Sequence, residues 1–381
     1  MSADDLNEEQ VIERFRNITD RIPAYLDKRD RYKNEILEEE EADGAIRKRI
    51  KTGIKRDKKH DTLLKQTISA FLPGGPIESE TGWRFLGAEP LSELNISNAD
   101  ALFGNPDRDF ALIVECKTSD GRPTRSLEQV YQAAEEVREN KDLVEDATGI
   151  TIDELECAIC VPSIADRRIA SEIERHEQDD IASEQVYLWR IHYYEGETLD
   201  LYDDINTRSD GENTHNSSLA PLLSRGVDLT HGQQVTPAFF PSSHPEVIME
   251  EVFGILLEQR LLDDKPFRHF TGSEIEAILK SQRNLPHYDA ETIGERIYGD
   301  LIDRCLRHEL IEEVSPSETE LDGEETEAFF KFRVRGKSVD TVLTNLRRRY
   351  IEMSVDHEAD IEAMRIVIDE FDEDQSSLTD F

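Results

Sequence analysis

The chain has 381 residues, room for two or three domains, and a hydrophobic content of 37% that suffices for packed cores. Its 84 Asp and Glu against 45 Lys and Arg give a formal net charge of −39. No apolar run approaches the ~18–20 residues of a membrane span. The acidic start Met1-Ser2-Ala3-Asp4-Asp5-Leu6 lacks a signal-peptide pattern. The reading is a cytoplasmic chain with no membrane partner and with its four cysteines reduced.

The acids are spread through the helical stretches rather than gathered in one block, and arginine outnumbers lysine about two to one. Such a self-repelling surface reads as adaptation to molar salt, as in haloarchaea, rather than as an acidic protein of ordinary salt with disordered tails. In molar salt the Debye length falls to about 3 Å, so the global charge hardly repels DNA at contact distance. The gain from counterion release weakens as well. The net charge therefore does not exclude a nucleic-acid partner, but direct contacts must carry the binding.

Residues 7–43 read as helical, with Val11, Phe15, Ile18 and Ile22 at helical spacing and a break at Pro23. This charged region, 1–59, would lie on the main body or meet a partner helix. Residues 46–60 reverse the sign: Arg47, Lys48, Arg49, Lys51, Lys55, Arg56, Lys58 and Lys59 stand there with Asp57 as the one acid. The run reads as a phosphate-backbone contact, against the blander reading of a surface neutralising nearby acids such as Glu38 to Glu41. Residues 61–72 form an amphipathic helix that Pro73-Gly74-Gly75-Pro76 stops.

A region at 60–204 follows in the order helix, three strands, helix, strand, helix, strand. The strands are expected at 83–88, 95–103, 110–118, 156–162 and 186–194, and the helices at 124–146 and 164–177. That order predicts an α/β domain with a mixed central sheet flanked by helices. Cys157-Ala158-Ile159-Cys160 lies in an apolar strand run and reads as core packing, since a redox pair needs a helix N-terminus and a zinc site needs more ligands.

Residues 205–244 are rich in Asn, Ser, Gly, Thr and Pro and read as a linker or irregular extension. Beyond it, 245–354 offers helices at 245–262, 273–282 and 291–309, strands at 310–314 and 328–334, and a helix at 339–352 that carries Arg347, Arg348 and Arg349. Three helices and a two-stranded hairpin resemble a winged helix-turn-helix, and the arginine triplet is its better DNA-contact surface. The alternative for the triplet is pairing with the acidic tail, 355–381, which reads as disordered after Asp369. The N-terminal helix and the winged-helix domain are the surfaces through which a homodimer would form.

The chemistry concentrates at the end of the run 110–118. Glu115 and Lys117 lie on one face of a strand by its period of two, and Lys117 is the sole lysine between Lys65 and Lys141. Asp100 adds a second carboxylate upstream. Magnesium binds through one or two carboxylates plus waters and substrate phosphate. Asp100 and Glu115 suit it as ligands, with the backbone carbonyl of Cys116 as a third, and Lys117 would orient the attacking water or take transition-state charge.

Asn98-Ala99-Asp100 followed by Ile113-Val114-Glu115-Cys116-Lys117 resembles the PD-(D/E)xK, or restriction-endonuclease-like, nuclease superfamily. The resemblance covers about residues 60–200. It implies that Asp100 and Glu115 bind Mg²⁺ (or Mn²⁺) and that Lys117 acts in catalysis. Gln129 resembles the helix glutamine of the RecB-like and Cas4-like branch, although Tyr131 follows it by two residues. The expectation is a Mg²⁺-dependent DNA endonuclease of defence, mobile-element or repair biology. The alternative is a non-catalytic winged-helix DNA-binding regulator with a degenerate nuclease fold.

Overall fold

In a computed structural model, the structure describes residues 3, 6–88, 99–119, 122–162, 166–178, 186–193, 199–203, 219–229, 239–240, 243–262, 268–281, 290–319 and 328–379. The chain divides into two compact units, one of Met1–Lys55, Leu257–Gly272 and Ile302–Phe381, the other of Arg56–Leu256 and Ser273–Leu301.

The second unit is built on a seven-stranded mixed sheet, so the α/β class read from the sequence holds. Its strands are β1 (Arg84–Ala88), β2 (Ala101–Asn105), β3 (Phe110–Cys116), β4 (Glu154–Pro162), β5 (Val186–Tyr193), β6 (Leu199–Asp203) and β7 (Val227–Asp228), side by side in chain order. β3, β4 and β5 run parallel, and every other pairing is antiparallel. Every residue of β3 is buried, as expected of a strand with parallel pairing and covered faces, and this is why Phe110 to Val114 read as an unbroken apolar run. Parallel neighbours need crossovers. These are α5 (Pro123–Glu139) with α6 (Lys141–Thr148), and α7 (Asp166–Gln178). α5 packs on β3, β4 and α7.

On the opposite side of β3 lies α3 (Ala45–Ser69), which the short α4 (Pro76–Thr81) follows in the chain. Its Thr67 hydroxyl donates to Cys160 Sγ at 3.2 Å and lies 3.6 Å from Cys116 Sγ. Cys157 is likewise buried in the core and Cys305 is buried elsewhere, all of them unpaired thiols. The core-packing reading of the cysteine pair stands.

Several sequence expectations need correction. The helix expected at 61–72 is the end of α3, so the basic run 46–60 is its first half rather than a separate segment. The helix at 124–146 breaks at Asn140 into α5 and α6. Strand β6 has no counterpart in the sequence reading. The expected linker 205–244 contributes α8 (Ala220–Arg225) and β7, and Leu219, Leu222, Leu223, Val227, Leu229 and Phe240 join the core. Its remaining parts, and the start of the strand expected at 95–103, lie outside the described residues.

In the first unit, α1 (Glu8–Thr19) and α2 (Ala24–Asp43) pack on α12 (Val339–Thr379). The sequence reading ends this last helix near Glu352 and leaves a disordered tail. Instead it is one 41-residue helix. Val367 and Ile368 pack in a cluster with Val11, Phe15 and Ile18, and Val355 and Ala359 in another with Ile46. The supposed tail is therefore the packing partner of the amphipathic N-terminus. Lys28–Glu370 at 2.8 Å, Arg29–Asp360 at 2.7 Å and Lys33–Asp356 at 2.9 Å line this contact.

The C-terminal elements run α9 (Pro245–Leu262), β8 (His269–Thr271), α10 (Gly272–Ser281), α11 (Ala290–Arg307), β9 (Ile311–Val314), β10 (Phe329–Phe332) and then α12. The expected two-stranded hairpin is a three-stranded antiparallel sheet in the order β8-β10-β9. The sequence does not announce β8, because three residues carry no readable period. Among the described residues no helix is long and apolar enough to cross a membrane.

Candidate active site

β2 and β3 form an antiparallel pair in which Ala101 faces Val114. One step further along this register, Asp100 stands across from Glu115. Asp100 lies just before β2, where its carboxylate replaces a backbone partner: Oδ2 accepts the Cys116 N–H at 2.6 Å. A side chain tied to the neighbouring strand in this way is held in place by the sheet itself. Lys117 follows β3 directly, and its own N–H donates to Cys160 O at 2.9 Å.

The side chains then converge. Lys117 Nζ donates to Glu115 Oε1 and, at 3.1 Å, to Gln129 Oε1 on α5. Three of the sequence-derived groups thus form one hydrogen-bonded chain, and Asp100 lies close enough to act on the charge of Glu115. Glu115 is 4% exposed. Burial, and after it the charge of Asp100, push its carboxyl up to about 7, against the pull of Lys117 and His60.

His60 is the site residue that sequence reasoning missed. It stands on α3 with Nε2 3.1 Å from Asp100 Oδ2. Burial disfavours its charge, but the hydrogen bond and the charge of Asp100 outweigh this and raise it to about 9. A lone histidine at the end of a basic run, in the middle of a helix, has no local motif. Only the sheet register and the approach of α3 reveal its partner. The neighbouring Asp61 is buried, where its carboxylate accepts the Ser243 hydroxyl at 2.6 Å. It ties the start of α9 to α3 rather than joining Asp100.

Two carboxylates, one of them buried with a raised pKa, face the cationic partners Lys117 and His60, and a divalent cation would share or take over the same carboxylate oxygens. Among the described residues no group of three or more His, Cys, Asp or Glu is arranged to hold a metal. Magnesium, however, takes one or two carboxylates and fills its other positions with water and substrate oxygen. The donor set of Asp100 and Glu115, with the Cys116 carbonyl between Glu115 and Lys117, fits that chemistry.

The other sequence-derived residues are the basic run on α3 and the arginine triplet on α12. On α3, Arg47, Lys48, Lys51 and Lys55 are exposed and pair with no described acid. At spacings of one, four and eight residues from Arg47 they share a helix face, and Lys59, also exposed, follows four residues on. Arg49 pairs with Glu358, Arg56 with the adjacent Asp57 at 2.9 Å, and Lys58 with Glu246 and Glu250 at 3.0 and 2.6 Å. Three of the eight thus neutralise acids, and Arg49 also feels the charge of Glu40, whose carboxylate accepts the Ile46 and Arg47 N–H at 2.7 and 3.0 Å. In the arginine triplet, Arg349 pairs with Glu309, and Arg348 lies 3.9 Å from Glu352. Arg347 is exposed. For Arg348 and Arg349 these acids are local.

No family model matches the chain, and no solved structure matches it. It is similar to an uncharacterized protein of Archaeoglobus fulgidus, 22% identical over 348 residues, which spans 85% of this chain and 88% of that protein.

Proposed function

We propose that the chain is a Mg²⁺-dependent DNA endonuclease that hydrolyses phosphodiester bonds at the Asp100, Glu115, Lys117 and Gln129 cluster. The observation that carries this reading is the bonding of Lys117 to both Glu115 and Gln129, beside Asp100, at the end of a buried strand. A cation held between a carboxylate and an amide is kept in one place and orientation, as transition-state stabilisation requires. Asp100 and Glu115, with the Cys116 carbonyl, are the groups that would hold the metal ion. When bound, the ion supplies a low-pKa water and a clamp for a phosphate oxygen.

In this reading Lys117 orients the attacking water or takes up charge on the phosphorus oxygens, and Gln129 fixes the lysine. His60 holds Asp100 from the opposite face of the sheet. The row Arg47, Lys48, Lys51 and Lys55 on α3 supplies phosphate contacts. Supercoiled plasmid in molar KCl with Mg²⁺ should be nicked or cut by the wild type. Glu115→Gln and Lys117→Ala should each lower the rate by at least about 10²-fold. Undiminished cleavage by both variants would end the assignment.

A second reading has its own support. The order helix, strand, helix, helix, strand, strand, with the last strand central in a three-stranded antiparallel sheet, is consistent with a winged helix. It favours a DNA-binding regulator in which 245–354 binds without the metal site. Gel-shift binding that survives Asp100→Asn, Glu115→Gln and chelation, in a protein that never cuts, would select it.

A further inference from the structure

The crossover helices α5 and α7 both begin where their strands end, at the same end of the sheet as Glu115 and Lys117. β3 and β4 are parallel and pair Cys116 with Cys160, so α5 and α7 start from neighbouring positions. α5 and α7 also pack together, with the Thr124 hydroxyl donating to Glu172 at 2.6 Å. At this end Arg168, in the first turn of α7, is exposed and already engaged, and three further arginines are exposed: Arg122 at the start of α5, Arg125 in its first turn, and Arg167 in the first turn of α7. None of the three pairs with a described acid, in a chain where acids outnumber bases 84 to 45.

Their spacing gives them a direction. Residues three and four apart share a helix face, so Arg122, Arg125 and Gln129 form one row along α5. Gln129 accepts from Lys117 Nζ at 3.1 Å. Arg125 therefore stands one turn, about 6 Å along the axis, outward from the glutamine that fixes the catalytic lysine. A salt-bridge role is absent among the described residues. A packing role is equally poor, because both side chains are exposed while Leu127 and Val130 of the same helix carry the core contact.

Resting on the endonuclease reading, we propose that Arg122 and Arg125, joined by Arg167, form the phosphate-binding rim that leads a DNA strand into the Lys117 site. Arginine suits such a rim because its planar fork grips a phosphate through two hydrogen bonds, and such contact geometry survives salt that abolishes long-range attraction. The positive ends of two helix dipoles add to the same field.

The test is steady-state cleavage of a fluorescent DNA duplex with Mg²⁺ in molar KCl, together with equilibrium binding of that duplex in a Glu115→Gln background. Arg125→Ala should raise KM, and weaken binding, about tenfold with kcat within about twofold. Arg122→Ala should do the same more weakly, and the double variant more than either. Arg125→Lys should recover part of the loss. Arg138→Ala removes the same charge from the far end of α5 and should change neither quantity. Unchanged KM and binding in the Arg122/Arg125 double variant, while the wild type cuts, would overturn the rim and leave the nuclease standing. A wild type that neither cuts nor binds DNA would remove the nuclease reading itself. Equal losses in Arg138→Ala would reduce the effect to net charge and overturn the rim.

Discussion

Glu115 shows how one residue links the site to stability. Its carboxyl is raised from its ordinary 4.5 to about 7, first by burial and then by Asp100. Between those values the folded protein holds a proton that the unfolded chain has lost, so stability falls as pH rises through the window. A divalent cation bound by Asp100 and Glu115 would reverse this, since it favours the ionised form. At pH 8, adding Mg²⁺ or Mn²⁺ should raise the melting temperature of the wild type by several degrees. Glu115→Gln should lose most of that rise. Equal rises in wild type and variant would place the ion elsewhere. Glu115 and Lys117 are legible in the sequence because charges at the end of an apolar strand stand out, Asp100 is read as the carboxylate upstream of them, and Gln129 enters only through the family resemblance. His60 is not, because its partner lies 40 residues away and is brought to it by the packing of α3.

His308 makes the opposite case, a histidine held neutral. It is buried, stacks on Tyr350 with ring centroids 4.9 Å apart, and places Nδ1 3.0 Å from Arg304 O and Nε2 3.2 Å from Ser354 Oγ. Nδ1–H donating to the carbonyl and Nε2 accepting from the hydroxyl satisfies both atoms without a charge. Burial, with Arg304, His357 and Arg307 also opposing protonation, lowers the ring to about 4. Its contribution is complete above pH 6.5 and is lost as pH falls towards 4, because the unfolded chain takes the proton first. Chemical denaturation should show stability dropping by about 1–2 kcal/mol across that range, discounted for the solvent that reaches the ring. His308→Phe should flatten that drop, and an unchanged pH slope in the variant would assign it to other groups.

At the scale of elements, α12 separates local from distant information. Its start is legible from periodicity, and its continuation is not. Beyond Asp356 the sequence is dense in acids, and composition alone reads such a stretch as a solvated tail. What makes it helical is the complementary face of α1 and α2, with Arg14–Asp372 at 2.6 Å and the buried Val367 and Ile368. Most helical stability in proteins comes from such packing rather than from propensity. Truncation after residue 354 should therefore expose the apolar faces of α1 and α2. It should cost more helical circular-dichroism signal than the 25 residues from 355 to Thr379 carry themselves. Rapid proteolysis within 8–43 should accompany it. A truncated protein that keeps its N-terminal helices protected would show that the tail adds nothing.

For the whole molecule, the decisive quantity is the net charge of −39. Two electrostatic effects oppose each other in it. The α2–α12 ion pairs, at 2.7–2.9 Å, attract at contact distance and fall inside even the ~3 Å Debye length of molar salt. The repulsion among unpaired acids acts over longer distances and is what added salt removes first. Salt should consequently weaken the destabilising effect more than the stabilising one. The melting temperature should rise steeply between about 0.1 and 1 M KCl, then flatten once the screening length approaches the contact distance. Potassium sulfate at equal ionic strength should match this first rise, and only at higher concentration add the further stabilisation of an excluded salt. A melting temperature that is flat or falls over the first molar of KCl would mean that the acids are locally balanced. The composition would then carry no adaptation to high salt, and DNA binding would have to be weighed against an unscreened negative field.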